Sequence, residues 1–183
     1  MSTTASGRLP GDPTARAQVE RMIRVDHAGE YGARRIYEGQ LAVLGRRAEG
    51  DVLRHMRAQE QVHLDRFADL IAERRVRPTA LLPLWHVAGF ALGAATAALG
   101  ARAAMACTVA VEETIDAHYA GQMARLGEDE ATLRDTIETF RAEELEHRDI
   151  GLAHGAEQAP AYRLLSRVIR AGCRAAIAAS ERF

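Results

Sequence analysis

From Ala15 to about Arg75, apolar residues recur every three or four positions in a background of Ala, Leu, Arg and Glu, broken only by Gly45 and Gly50. That period puts them on one face of a helix and predicts two long helices joined near the glycines. Val76 to Ala101 is different: its one charge is Arg77, and Pro78, Pro83 and Trp85 precede a run of Ala, Leu and Gly. Helical periodicity returns from Arg102 to about Leu126 and from Glu130 to about His154, around a turn at Gly127. Pro160 is expected to open a last helix running to about residue 182. No stretch alternates as a half-buried strand must, so the expected fold class is all-α.

The 183 residues, 48% of them hydrophobic, suffice for one domain with a sizeable core. The first 14 residues, rich in Ser, Thr, Gly and Pro, are expected to form a disordered tail ahead of a single domain over 15–183. They lack both the apolar run of a secretory signal and the arginine density of a mitochondrial leader. A formal net charge of -1, with no basic run, argues against nucleic acid as a partner. Cys107 and Cys173 are widely spaced within helix-like segments, the pattern of a reducing compartment and not of a disulfide scaffold.

An internal repeat organises the chain. Glu30, Tyr37, Gly39, Gln40, Ala42, Leu44 and Gly45 match Glu112, Tyr119, Gly121, Gln122, Ala124, Leu126 and Gly127 at a constant offset of 82, seven identities in sixteen positions. Downstream, Glu60-x-x-His63-x-Asp65 matches Glu144-x-x-His147-x-Asp149 at an offset of 84. One helical hairpin is used twice, over about 15–75 and 102–154.

A Glu and a His three residues apart share a helix face and can reach one ion. Alone, such a pair is usually a solvated surface feature. Two pairs, joined by one Glu from each hairpin's other helix, make the ligand set of ferritin-like bundles that hold two iron or manganese ions. The candidate metal ligands are therefore Glu30, Glu60, His63, Glu112, Glu144 and His147. Four core-facing carboxylates repel one another and cost several kcal/mol each in desolvation unless cations compensate them. Two divalent ions do so, and a carboxylate and imidazole set suits iron. Glu113 competes with Glu112, but the repeat aligns Glu112 with Glu30 and Glu113 with Tyr31. Asp26, one turn before Glu30, is a candidate for orienting a ligand, against the plainer reading of a cap or surface charge. Tyr119 and His118 are candidates for a catalytic place near the substrate, while Tyr37 reads as a packing residue. His27, His55 and His154 carry no partner pattern.

Residues 78–101 are long enough to span a membrane, but a single crossing would separate two hairpins that must share one pair of ions. The segment reads instead as an added apolar crossover helix. Its 20 residues from Leu81 to Gly100 would cover about 30 Å as helix. A buried fifth helix is the plainer alternative. In the last helix, Arg163, Arg167, Arg170 and Arg174 form a stripe opposite Leu165, Val168, Ile169 and Ala176, the pattern of an amphipathic helix on an anionic surface. Together these suggest a monotopic protein with an apolar entrance to its metal site.

Five segments resemble the demethoxyubiquinone hydroxylases of ubiquinone biosynthesis. They are Ile23-Arg-Val-Asp-His-Ala-Gly-Glu30-Tyr-Gly-Ala, Arg75-Val-Arg-Pro-Thr, Pro83-Leu-Trp, Ala106-Cys-Thr-Val-Ala-Val-Glu112-Glu and Glu143-Glu-Leu-Glu-His147. The resemblance covers roughly residues 20–183 and implies the same six metal ligands. It also implies a reaction: one oxygen atom of O2 enters the ring of a polyprenylated methoxy-methyl-benzoquinol, with NADH as ultimate reductant. No Gly-x-Gly-x-x-Gly fingerprint marks an NADH domain. The implied partners are the polyprenyl benzoquinone, O2, a membrane surface and a lipid-binding accessory protein. The implied place is the cytoplasmic face of a bacterial inner membrane, or else the matrix face of the mitochondrial one. A ferritin-like ferroxidase and a membrane di-iron quinol oxidase would use the same ligands.

Overall fold

A computed structural model describes residues 12–183. Among them it contains six α-helices, two single 3-10 turns at 128–130 and 156–158, and no strand. Helices α1 (Ala15–Leu44) and α2 (Gly50–Glu73) form the first hairpin, and α4 (Ala101–Met123) and α5 (Ala131–Ala153) the second. Between them α3 (Leu82–Ala98) packs along α1 and touches α4, while α6 (Tyr162–Ser180) lies against α4 and α1. This is a ferritin-like helical bundle with two added helices.

Of the 14-residue tail, residues 1–11 lie outside the described residues. Thr14 caps α1, its side-chain oxygen accepting from the amide of Ala17 at 3.1 Å. Thirty residues make α1 about 45 Å long, the strut on which everything else is laid. Pro160 does not open the last helix as expected. Ala159 before it is extended, as residues preceding proline prefer, Ala161 turns through the left-handed region at φ 53°, and α6 starts at Tyr162.

Apolar side chains fill the bundle above and below its middle. Tyr37, Leu44, Leu53, Met56 and Ala103 to Ala106 pack at one end, and Met22, Ile23, Phe67, Leu70, Leu133, Ile137 and Phe140 at the other. The Glu and His positions of the repeat fall on the same inward faces, near the middle of each helix, and are buried between the two clusters.

The crossover is an apolar helix, as expected, but a shorter one. It is 17 residues, about 25 Å, and it is not a buried fifth helix: only Gly89, Gly93, Thr96 and Ala97 are buried, whereas Val87 is 65% exposed and Leu84 53%. No helix among the described residues is long and apolar enough to cross a membrane. What holds α3 is close backbone approach. A Cβ at Gly93 would lie 1.9 Å from the carbonyl oxygen of Ile36, and one at Gly39 would lie 2.2 Å from that of Phe90. The spacing Gly89-x-x-x-Gly93 is a recognised signature of such packing, and it was legible in the sequence.

Replacing Gly93 by alanine should therefore destabilise the fold by about 1–3 kcal/mol, because the rigid α1 backbone cannot move aside. Gly121→Ala, where an added Cβ meets nothing within 4 Å, should be neutral or stabilise by about 0.5–1 kcal/mol. Urea unfolding of the two variants measures the contrast.

Candidate metal centre

Each of the four bundle helices carries its candidate ligands on the inward face. Glu30 comes from α1, Glu60 and His63 from α2, Glu112 from α4, and Glu144 and His147 from α5; all six are essentially inaccessible to solvent. Their ligand atoms fall into two groups, each lying within 4.8 Å of one another: Glu30, Glu60, His63 and Glu144 in one, Glu60, Glu112, Glu144 and His147 in the other. Glu60 and Glu144 belong to both and would be shared if each group held one ion. Glu113, the competitor of Glu112, points outward to Arg170 on α6.

Both histidines turn Nδ1 inward. Nδ1 of His63 lies 3.1 Å from Glu144 and 3.4 Å from Glu30, and Nδ1 of His147 lies 3.2 Å from Glu144 and 3.3 Å from Glu60. Several buried oxygens have no hydrogen-bond partner: Oε2 of Glu30, Glu112 and Glu144, and both oxygens of Glu60. Nδ1 of His147 is likewise orphaned. Buried polar atoms normally find partners, so a cluster of unpaired acceptors converging from four helices fits cations as the missing component.

The titration behaviour has the same cause. Burial, then the charges of Glu144 and Glu30, pushes Glu60 well above the usual carboxylate range; burial, then Glu144 and Glu60, does the same to Glu112. Burial also acts on Glu144, but the imidazoles of His147 and His63 beside it outweigh it and hold that carboxyl at about 2. Burial alone would lower His63, yet the carboxylates of Glu144 and Glu30 beside it raise it to about 12.

Around the ligands, Tyr37 donates its hydroxyl to Glu112 at 2.8 Å and Tyr119 donates to Glu30. Tyr37 thus does more than pack, and the two tyrosines hold the two unshared carboxylates in equivalent ways. Sequence reading missed the partners of the outer histidine nitrogens. Nε2 of His63 meets Glu143 at 2.5 Å, and Nε2 of His147 meets Gln59 at 2.9 Å. Each is the residue before the Glu of a Glu-x-x-His pair, so the repeat held the signal. Asp26, expected to orient a ligand, makes its bond elsewhere, and it is neither a cap nor a surface charge. It is buried and bonded to Gln122 at 2.7 Å, with His118 3.4 Å away. His118 lines a small cavity with Arg21 and Arg125, and it is neither an exposed helical histidine nor part of the apolar groove described next.

The groove, of about 440 Å³, lies between α3 and α6 with α1 and α4 as its floor. Gly29, Ala33, Val111 and Ile115 line the floor, and Trp85, Val168, Ile169 and Cys173 the sides. Gly29 and Val111 are the chain neighbours of Glu30 and Glu112. Beside it α6 differs from its expected pattern: Ile169 is buried, but Val168 and Leu164 are 62% and 64% exposed, and Arg170 is held to the bundle by Glu113.

Without metal, the fold should prefer mild acid. Folded Glu60 and Glu112 keep protons that the unfolded chain releases above its ordinary value of 4.5, so each loses stability as pH rises. His63 contributes most below its ordinary 6.5 and progressively less towards 12. Glu144 contributes above 4.5 and is lost as pH falls towards 2. Metal-free protein should thus melt highest near pH 4.5 and lower at each step up, by about 5 °C or more at pH 8.5. Added Mn(II) should reverse that slope, because ions replace the protons. Circular dichroism melts across the pH range check both slopes.

The family described as ubiquinone biosynthesis protein COQ7 matches residues 17–180. The 3-demethoxyubiquinol 3-hydroxylase of Rhodospirillum rubrum is 66% identical over 180 residues, 98% of this chain and 85% of that protein. The mitochondrial NADPH-dependent 3-demethoxyubiquinone 3-hydroxylase of Rattus norvegicus is 60% identical over 94% of this chain and 81% of its own length. The mitochondrial 5-demethoxyubiquinone hydroxylase of Saccharomyces cerevisiae is 42% identical over 91% and 79%. With all six candidate ligands inside the matched span, the chain belongs to the COQ7 family of ubiquinone biosynthesis proteins.

Proposed function

We propose that this protein is a di-iron monooxygenase that hydroxylates the ring of a polyprenylated methoxy-methyl-benzoquinol, using O2 and electrons drawn ultimately from NADH. The observation that carries the reading is an apolar groove lined by Gly29 and Val111, the chain neighbours of the two unshared carboxylates Glu30 and Glu112. Relatives named for hydroxylation of demethoxyubiquinol or demethoxyubiquinone support the substrate class. The rat relative's name specifies NADPH, so the nicotinamide donor is an open variable of the same assay.

Glu30, Glu60, His63 and Glu144 would hold one iron, and Glu60, Glu112, Glu144 and His147 the other. When bound, the ions supply the electrons and Lewis acidity for O2 cleavage. One oxygen atom replaces a ring hydrogen as a hydroxyl, and the other leaves as water with two electrons and two protons. The protein's own part is positional. Ala33, Val111 and Ile115 exclude water and pack the ring, and the groove between α3 and α6 takes the isoprenoid tail. Tyr37 and Tyr119 keep the unshared carboxylates in place.

Exposed Leu84 and Val87 on α3 and Leu164 and Val168 on α6, with Arg163, Arg167 and Arg174 on α6 beyond them, make a surface suited to an anionic membrane. On this reading the protein sits peripherally on the cytoplasmic face of a bacterial inner membrane, drawing quinol from the bilayer. The same apolar face would receive a lipid-binding accessory protein. A ferroxidase would need the ligands but neither groove nor apolar face.

Purified protein should hold about two irons per chain, and Glu112→Ala or Glu144→Ala should abolish that stoichiometry in metal analysis. Gly172→Leu should leave the iron in place while hydroxylation of a long-tailed demethoxyquinol falls at least about tenfold, because a Cβ at Gly172 meets nothing within 4 Å and larger bulk there fills the groove. Product analysis under NADH or NADPH measures it. Unchanged turnover in that variant would refute the groove as the quinol site.

A further inference from the structure

The two ion positions are built from repeat-related residues, so any difference between them must lie in what surrounds the ligands. One surrounding pair is matched: Tyr37 and Tyr119 each bond the unshared carboxylate of the other hairpin. Two pairs are not. The offset of 84 aligns Gln59 with Glu143, and these cross between hairpins to hold Nε2 of His147 and of His63. The offset of 82 aligns Asp26 with Thr108, one turn ahead of Glu30 and Glu112. In both of these pairs the acidic member lies on the Glu30–His63 side, whereas Glu113, the acid aligned with Tyr31 on the other side, is paired with Arg170.

A carboxylate that accepts from the outer nitrogen of a metal histidine fixes the ring and makes its inner nitrogen a better donor to the ion. An amide oxygen fixes the ring equally well but brings no charge. We infer that Glu143 and Gln59 are the positioning residues of the two metal histidines, and that their difference in charge makes the Glu30–His63 position the tighter one, filled first by a divalent cation. This rests on the di-metal reading above. Glu143 is 36% exposed, so solvent screens part of its charge and the effect belongs at the low end of the 10- to 100-fold range for such partners, about tenfold.

Anaerobic calorimetric titration of the metal-free full chain with Mn(II) tests the inference. Two ions should bind in two steps, the first about tenfold tighter. Glu143→Gln should weaken the first step about tenfold and leave the second within about twofold, and Gln59→Glu should tighten the second. Assignment of the steps comes from removing an unshared carboxylate: Glu112→Ala should keep the tight step and Glu30→Ala should lose it. A purely structural role would instead move both steps together and lower the metal-free melting temperature. That result, no change in Glu143→Gln, or a tight step that survives Glu30→Ala but not Glu112→Ala would overturn the inference with the di-metal reading intact. Fewer than two ions bound by the unaltered chain would overturn both.

Discussion

Four carboxylates at the centre of a helical bundle are the constraint on which the rest of this structure depends. Glu30, Glu60, Glu112 and Glu144 are buried within reach of one another, and among the described residues no arginine is buried with them to neutralise them. A core of that kind is tolerable only when each charge is held by a proton, a hydrogen-bond donor or a cation. The histidines and tyrosines supply part of that compensation. The unpaired oxygens mark what remains for metal ions to supply. Apolar clusters above and below the site keep water out, which strengthens every interaction within it.

That compensation crosses between hairpins. Tyr37 of the first hairpin holds Glu112 of the second, Tyr119 holds Glu30, and Glu143 and Gln59 reach across to His63 and His147. A single hairpin would leave its own glutamates unserved, so duplication is a requirement of the site and not merely its history. The small differences that accumulated between the copies then fall on charged neighbours of otherwise matched ligands.

Helices α1 and α4 serve two environments at once. One face of each presents a ligand to the polar centre, and the adjoining face, through Gly29, Ala33, Val111 and Ile115, floors an apolar groove. Glycine contacts seat α3 so tightly on α1 that its remaining surface is free, and that surface is apolar. The C-terminal end is tied to the start of α3, with the amide of Ala80 bonded to the carbonyl of Phe183 and the indole of Trp85 to Ser180. The groove is thereby closed at one end and bounded along both sides.

Much of this was legible without coordinates, because periodicity and repetition are properties of the chain itself. A period of 3.6 reports helices, and two Glu-x-x-His pairs with one further Glu in each copy report a convergent ligand set whatever the packing. The choice of Glu112 over Glu113 also came from alignment of the copies alone. Tertiary structure decided what depends on which helix lies beside which. Asp26 proved a partner of Gln122 and His118, Tyr37 a donor to Glu112, and Val168 an exposed residue, since each outcome is set by a neighbour 75 or more positions away or by how α6 rolls against the bundle. The depth at which α3 settles on α1 was likewise settled by backbone contact, although Gly89 and Gly93 announced where it would happen.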